Sequence, residues 1–183
     1  MRRISMVGLA VMLAFGWGCA ALAQEGEVAA PKCPEDAVSL PAELAAWSHQ
    51  APLVAAARQV ELRKAKIVIG QAVLAEMKAT PTVTYGARPA NPGGKVSKGG
   101  IFQLAIKQAG IYRVAIGNHS WIDVVSRGKR VLSSRHGPGP ACSGIRKMVD
   151  YPLKAGTYTL QLSAGEEDKL AILVVPHSDE GEK

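Results

Sequence analysis

The residues best suited to chemistry lie between His119 and Cys142. His119, Trp121 and Asp123 recur at every second position, and Ser134 and His136 follow at the same spacing, so strands here would put each set on one face. Ser126-Arg127-Gly128-Lys129, between the two sets, has the composition of a hairpin turn. With the turn centred between Arg127 and Gly128, Val125 faces Arg130, Asp123 faces Leu132, Trp121 faces Ser134 and His119 faces His136. The two imidazoles would then stand ~5 Å apart at the open end of the hairpin. Such a face suits a ligand surface built on the Trp121 ring. It also suggests a metal site, because two histidines and a carboxylate are the ligand set of non-haem iron enzymes. Asp123 opposes the second reading: two strand periods separate it from His119 by ~13 Å, and metal–ligand bonds of about 2 Å cannot bring both to one ion. A centre of iron or zinc on His119 and His136 would need a third ligand, and the spacing of Glu43, Glu76 and Asp150 recommends none of them. His119, Trp121, Asp123, Ser134 and His136 are the ligand-surface candidates, against the plainer reading of solvent-exposed polar residues around an ordinarily packed Trp121, and no catalytic residue, metal or cofactor is expected.

Nucleophiles are few. Cys142 lies six residues after His136, but a catalytic thiolate needs a positioned base and a free thiol, and the context argues for another role. Arg2 and Arg3, the 12 apolar residues from Met6 to Trp17, and Ala21-Leu22-Ala23 have the order of a secretory signal peptide cleaved after Ala23. Twelve apolar residues are too few to span a bilayer, which takes about 20, and no other segment is long enough. A twin-arginine leader lacks support in Ile4-Ser5-Met6, and a lipoprotein leader acylated at Cys19 is opposed by Gly16-Trp17-Gly18. Of the 183 residues and net charge of +7, cleavage leaves 160 residues at +5 with two cysteines. An even pair in an oxidising compartment is most simply a disulfide, Cys33 to Cys142. Closing that loop is worth ~4–5 kcal/mol in the chain-entropy model. The expected location is the periplasm or the outside of the cell.

The elements that must position these residues change character along the chain. Residues 24–65 form an Ala-rich N-terminal arm in which 39–47 predict a short helix, with Pro41 early where its missing N–H costs little. Residues 53–64 fit a helical stripe or the start of a strand equally well. From Ile67 the pattern alternates at period two between Gly and Pro punctuation, predicting strands near 67–77, 82–86, 101–107, 111–117, 120–126, 130–135, 147–153, 157–163 and 169–175. Residues 170–175 are apolar on both faces, the mark of a central strand. The fold expected is all-β, an antiparallel β-sandwich or jelly roll over 66–176, after a short N-terminal helical arm and before a disordered acidic tail at 177–183. Ala109-Gly110-Ile111-Tyr112 and Ala155-Gly156-Thr157-Tyr158 echo each other, a recurring turn-then-strand solution.

With its Gly-x-Tyr strand starts and its closing Tyr158-Thr159-Leu160-Gln161-Leu162, the stretch 101–175 resembles the pre-peptidase C-terminal-like β-sandwich, an accessory domain of secreted bacterial proteins. Residues 112–117, 121–125 and 142–149 are similar to small exported bacterial proteins, some of which carry the automatic name homogentisate 1,2-dioxygenase. The first resemblance implies a binding or solubilising role, sometimes with calcium, for which this chain lacks the acidic clusters. The second implies, as the alternative, a metal-dependent dioxygenase using iron. The loop 88–100 contains Gly-Gly-Lys without the spacing of a phosphate-binding loop, and predicts a mobile surface segment. The basic pairs Lys129-Arg130 and Arg146-Lys147 suit an anionic envelope polymer or a partner protein. Nucleic acid would want a denser basic face with interleaved aromatics, and export argues against it.

Overall fold

Six consecutive apolar residues, 170–175, leave no face for water, and the strand they form lies inside one of two sheets. A computed structural model of the chain describes Cys33 and residues 39–178. The first sheet has the order β1 (Ala51–Val54), β3 (Val73–Glu76), β12 (Lys169–His177), β6 (Gly110–Ile116), β10 (Lys147–Leu153), β9 (Arg135–Gly137). The second has the order β2 (Lys66–Ile67), β5 (Lys98–Ile106), β11 (Gly156–Gly165), β7 (Trp121–Ser126), β8 (Lys129–Val131), with β4 (Lys78–Ala79) also on β5. The fold is all-β, as expected, but the sheets are mixed rather than purely antiparallel: β1 runs parallel to β3 and β2 parallel to β5. Both parallel pairs are made by edge strands from residues 51–67. The proposed signal peptide lies outside the described residues.

Three expected strands differ. The run 67–77 breaks at Ile69–Gly70, where Gln71 N–H donates to the Val68 carbonyl (3.1 Å), and its halves join different sheets. Residues 82–86 form no strand: a 3-10 turn, Thr80–Thr82, contains Pro81, which has no N–H for a ladder. The run 130–135 divides between the sheets, because β8 ends at Val131 and the chain crosses over at 132–134 to form β9. The turn itself is as expected: Arg127 (φ 50°) and Gly128 (φ 75°) make the left-handed pair of a type I′ hairpin, and Val125 opposes Arg130.

Phe102, Leu104 and Ile106 of β5, Val114 and Ile116 of β6, Leu160 and Leu162 of β11, and Leu170, Ile172 and Val174 of β12 fill the space between the sheets. The outward residues Ala115, Leu173 and Val175 are buried as well, under Leu44 and Trp47 of the 3-10 helix Ala42–Ser48 and Ile145 of the loop before β10. A charged cluster fixes this roof. Arg113 on β6 donates from Nε and Nη2 to both oxygens of its cross-strand partner Asp150 (2.8 and 2.9 Å) and from Nη1 to Glu43 of the helix (2.9 Å). His177 lies 2.7 Å from Arg113 Nη2 and 3.0 Å from Glu43. Arginine has only donors, so Nε2 accepts and Nδ1 carries the proton given to Glu43. The sequence reading placed His177 in the acidic tail; it is the last residue of β12.

The echoed tyrosines share one latch. Tyr112 Oη donates to the Gln108 carbonyl (2.9 Å) and Tyr158 Oη to the Lys154 carbonyl (3.0 Å), each four residues back across the turn.

Arg113 and Asp150 side chains are 12% and 4% exposed, so removing one partner strands the other's charge. Arg113→Ala should lower the unfolding free energy by about 3 kcal/mol in urea denaturation, whereas Glu43→Gln, at the wetter end of the cluster, should cost less than about 1 kcal/mol.

Candidate functional site

The crossing at 132–134 decides where the candidate residues go. Because β9 pairs with β10 and not with β7, His136 is the partner of Val149 and shares its inter-sheet face. Trp121 instead pairs with Ser163 of β11. The expected pairings of Trp121 with Ser134 and His119 with His136 do not form; the hairpin register holds only from Ser126/Lys129 to Val124/Val131.

A cleft of about 480 Å³ opens at this side of the sandwich, between β7 of one sheet and β9 and β10 of the other. Ile122, Val149 and Tyr151 make its apolar base, Trp121 and Pro138 its walls, and Ser133, His136, Arg146 and Lys147 its polar rim. Tyr151 Oη donates to the Ile122 carbonyl (2.9 Å), tying the sheets together beneath the cleft. Trp121, at 38% exposed, is the open residue of a strand whose next four residues are buried. Lys147 Nζ donates to the Ser120 carbonyl (2.8 Å) and the His119 carbonyl (3.3 Å) and lies 5.6 Å from the Trp121 ring centroid, a cation–π contact that holds the indole in place. Burial pushes the Lys147 ammonium below its ordinary pKa. Among the described residues no carboxylate lines the cleft.

Of the five residues expected to share a ligand surface, Trp121 and His136 line this cleft. His119 is exposed in the segment before β7 and contributes its carbonyl to Lys147. Ser134 turns back on Asp150, its N–H donating to that carbonyl at 2.8 Å. Asp123 is 7% exposed, and its carboxylate accepts the Trp121 indole N–H (3.2 Å) and the Ala90 amide (3.1 Å). Asp123 thus belongs to a polar row on the outer face of the second sheet. Next to it, Gln161 accepts from the Gly86 and Ala87 amides (2.7 and 3.1 Å) and donates to the Ala87 carbonyl (3.1 Å). Ser163 donates to the Asn91 carbonyl (2.6 Å). The loop expected to be a free surface segment is strapped down over 86–91 by these side chains. Arg146, Lys147, Val149 and Tyr151 were missed as site residues; only the basic pair 146–147 could have signalled them.

The far rim is a nine-residue loop, 138–146, between β9 and β10. Ile145 is buried with Leu44 and Trp47, and a Cβ at Gly139 would meet the Ile145 carbonyl at 2.5 Å, so only glycine lets the loop close so tightly. Cys142 lies in this loop with its Cα 5.4 Å from that of Cys33, the separation of a disulfide. Among the described residues no group of three or more His, Cys, Asp or Glu could hold a metal ion. The donor set at the cleft, one histidine beside two cationic side chains, does not fit iron or zinc. No helix among the described residues is long and apolar enough to cross a membrane. No protein-family model matches the chain, and no curated protein matches it. The reading of the cleft therefore rests on its own chemistry.

Two outcomes test this geometry. Gln161→Ala should speed hydrogen exchange at the Gly86 and Ala87 amides about tenfold, with little change in the β12 amides. Burial first, then the Asp123 charge, raises the Tyr151 pKa far above its ordinary value of 10. The folded state therefore keeps a proton that the unfolded chain loses, and stability present below pH 10 declines as pH rises further. Tyr151→Phe should cost about 1 kcal/mol at neutral pH and give a shallower decline in urea midpoint above pH 10.

Proposed function

We propose that the protein is an exported, non-catalytic β-sandwich module of the pre-peptidase C-terminal-like kind, cleaved after Ala23 and oxidised at Cys33 and Cys142, that binds a component of the cell envelope through the Trp121–His136 cleft. One observation carries the reading: a preformed, apolar-based cleft with a cationic rim and, among the described residues, no carboxylate in its lining. Its size is that of ordinary small-ligand sites, about 300–1,000 Å³. The base is locked by the Tyr151 bridge, and the rim loop is pinned by Ile145 and the cysteine pair, so little ordering cost remains for binding. A leader peptide and a cysteine pair at bonding distance fit passage to an oxidising compartment.

Co-sedimentation tests the proposal. Mature protein, residues 24–183, should pellet with isolated envelope of the producing cell. The Trp121→Ala/His136→Ala double variant, with an unchanged melting temperature, should pellet about tenfold less. Equal pelleting of both proteins would overturn the assignment to this cleft.

A further inference from the structure

The cleft's lining also specifies the kind of molecule it takes. Residues 101–165 contain nine Lys and Arg against two acids, Asp123 and Asp150, and both acids are buried and spent, on Trp121 and Ala90 and on Arg113. The next acids along the chain, Glu166, Glu167 and Asp168, are exposed in the turn after β11, where Glu167 accepts from Asn118 (3.1 Å), and none of the three lines the cleft. Lys147 is committed to two carbonyls and the Trp121 ring. Arg146, the next residue, is fixed through its backbone, its N–H donating to the Ile116 carbonyl (2.9 Å). Its exposed guanidinium makes no ion pair with any described residue and lies on the cleft rim. Below that guanidinium the surface is apolar: Trp121, Val149 and Tyr151. A forked donor above an apolar base matches a ligand with an anionic head and a compact hydrocarbon body.

Resting on the binding reading above, we infer that the cleft recognises a small anionic amphiphile, its single carboxylate or phosphate head held at Arg146 and its acyl or aryl body laid against Trp121, Val149 and Tyr151. A bare anion would leave the apolar base unused, and an uncharged chain would leave Arg146 without an anion. The head and the body are therefore both required.

Calorimetric titration of the oxidised mature protein with octanoate, 1-octanol and octylamine tests this directly, with vesicles of anionic phosphatidylglycerol as a fourth probe. Octanoate should bind about tenfold tighter than 1-octanol, and octylamine should not bind. Arg146→Gln, which keeps the backbone bond to Ile116, should erase the preference for acid over alcohol, weakening octanoate about tenfold more than octanol. Trp121→Ala should weaken both. Equal affinity for octanoate and octanol, or an unaltered preference in Arg146→Gln, would overturn the inference. Binding to vesicles that free octanoate does not displace would also overturn it, by placing the ligand in a membrane surface. Failure of octanoate while envelope still pellets in a Trp121-dependent way would sink the amphiphile and leave the binding module standing.

Discussion

Strands β6 and β12 are covered on both faces, and most of the architecture follows from that constraint. A sheet buried on one side needs only a partner sheet; this one also needs a roof over Ala115, Leu173 and Val175. The roof is assembled from chain that has no ladder of its own to join, the 3-10 helix with Leu44 and Trp47 and the loop carrying Ile145. Arg113 stands at the roof's edge, where a buried guanidinium must find carboxylates. Its bidentate bond to Asp150 and its reach to Glu43 lock helix to sheet with a directionality that apolar contact lacks. Hydrogen bonding to Asp150 raises the Arg113 pKa further, so the charge on which the lock depends is permanent.

The cleft inherits its rigidity from this roof. Ile145, inside the second apolar cluster, immediately precedes Arg146 and Lys147 on the rim. A packing event on the outer face of a sheet thus sets the position of charges at its side. Below, Tyr151 spans the gap between sheets where β8 and β9 are too short to close it. The opening exists because the chain crosses from one sheet to the other at 132–134.

The same crossing marks the limit of what sequence could disclose. Period-two alternation located β5, β6, β7, β10 and β11 to within a residue or two at most ends, because each of these strands turns at least one face to the other sheet. The both-face burial of 170–175 was legible from composition alone. The hairpin turn and its first pairs were legible from Arg127-Gly128. The site was not, because extending that hairpin by pairing rules assumes that both strands stay in one sheet, and local pattern does not record that β9 belongs to the other. Asp123 misled for a similar reason: a carboxylate on the polar face of a strand looks solvated, and only tertiary structure shows the strap of 86–91 laid over it. Arg113, Glu43, Asp150 and His177 come from four separate elements with no shared spacing, so no linear motif could announce their cluster.

The borders of the two sheets carry a last consequence. Among the described residues the outermost strands are two to four residues long: β1 contains Pro52, β2 contains Lys66, β4 contains Lys78, β8 contains Lys129 and Arg130, and β9 contains Arg135. Short, charged or proline-bearing margins offer a neighbouring molecule too few aligned amides to extend either sheet. In a fold so rich in strands, these margins work against edge-to-edge pairing between copies.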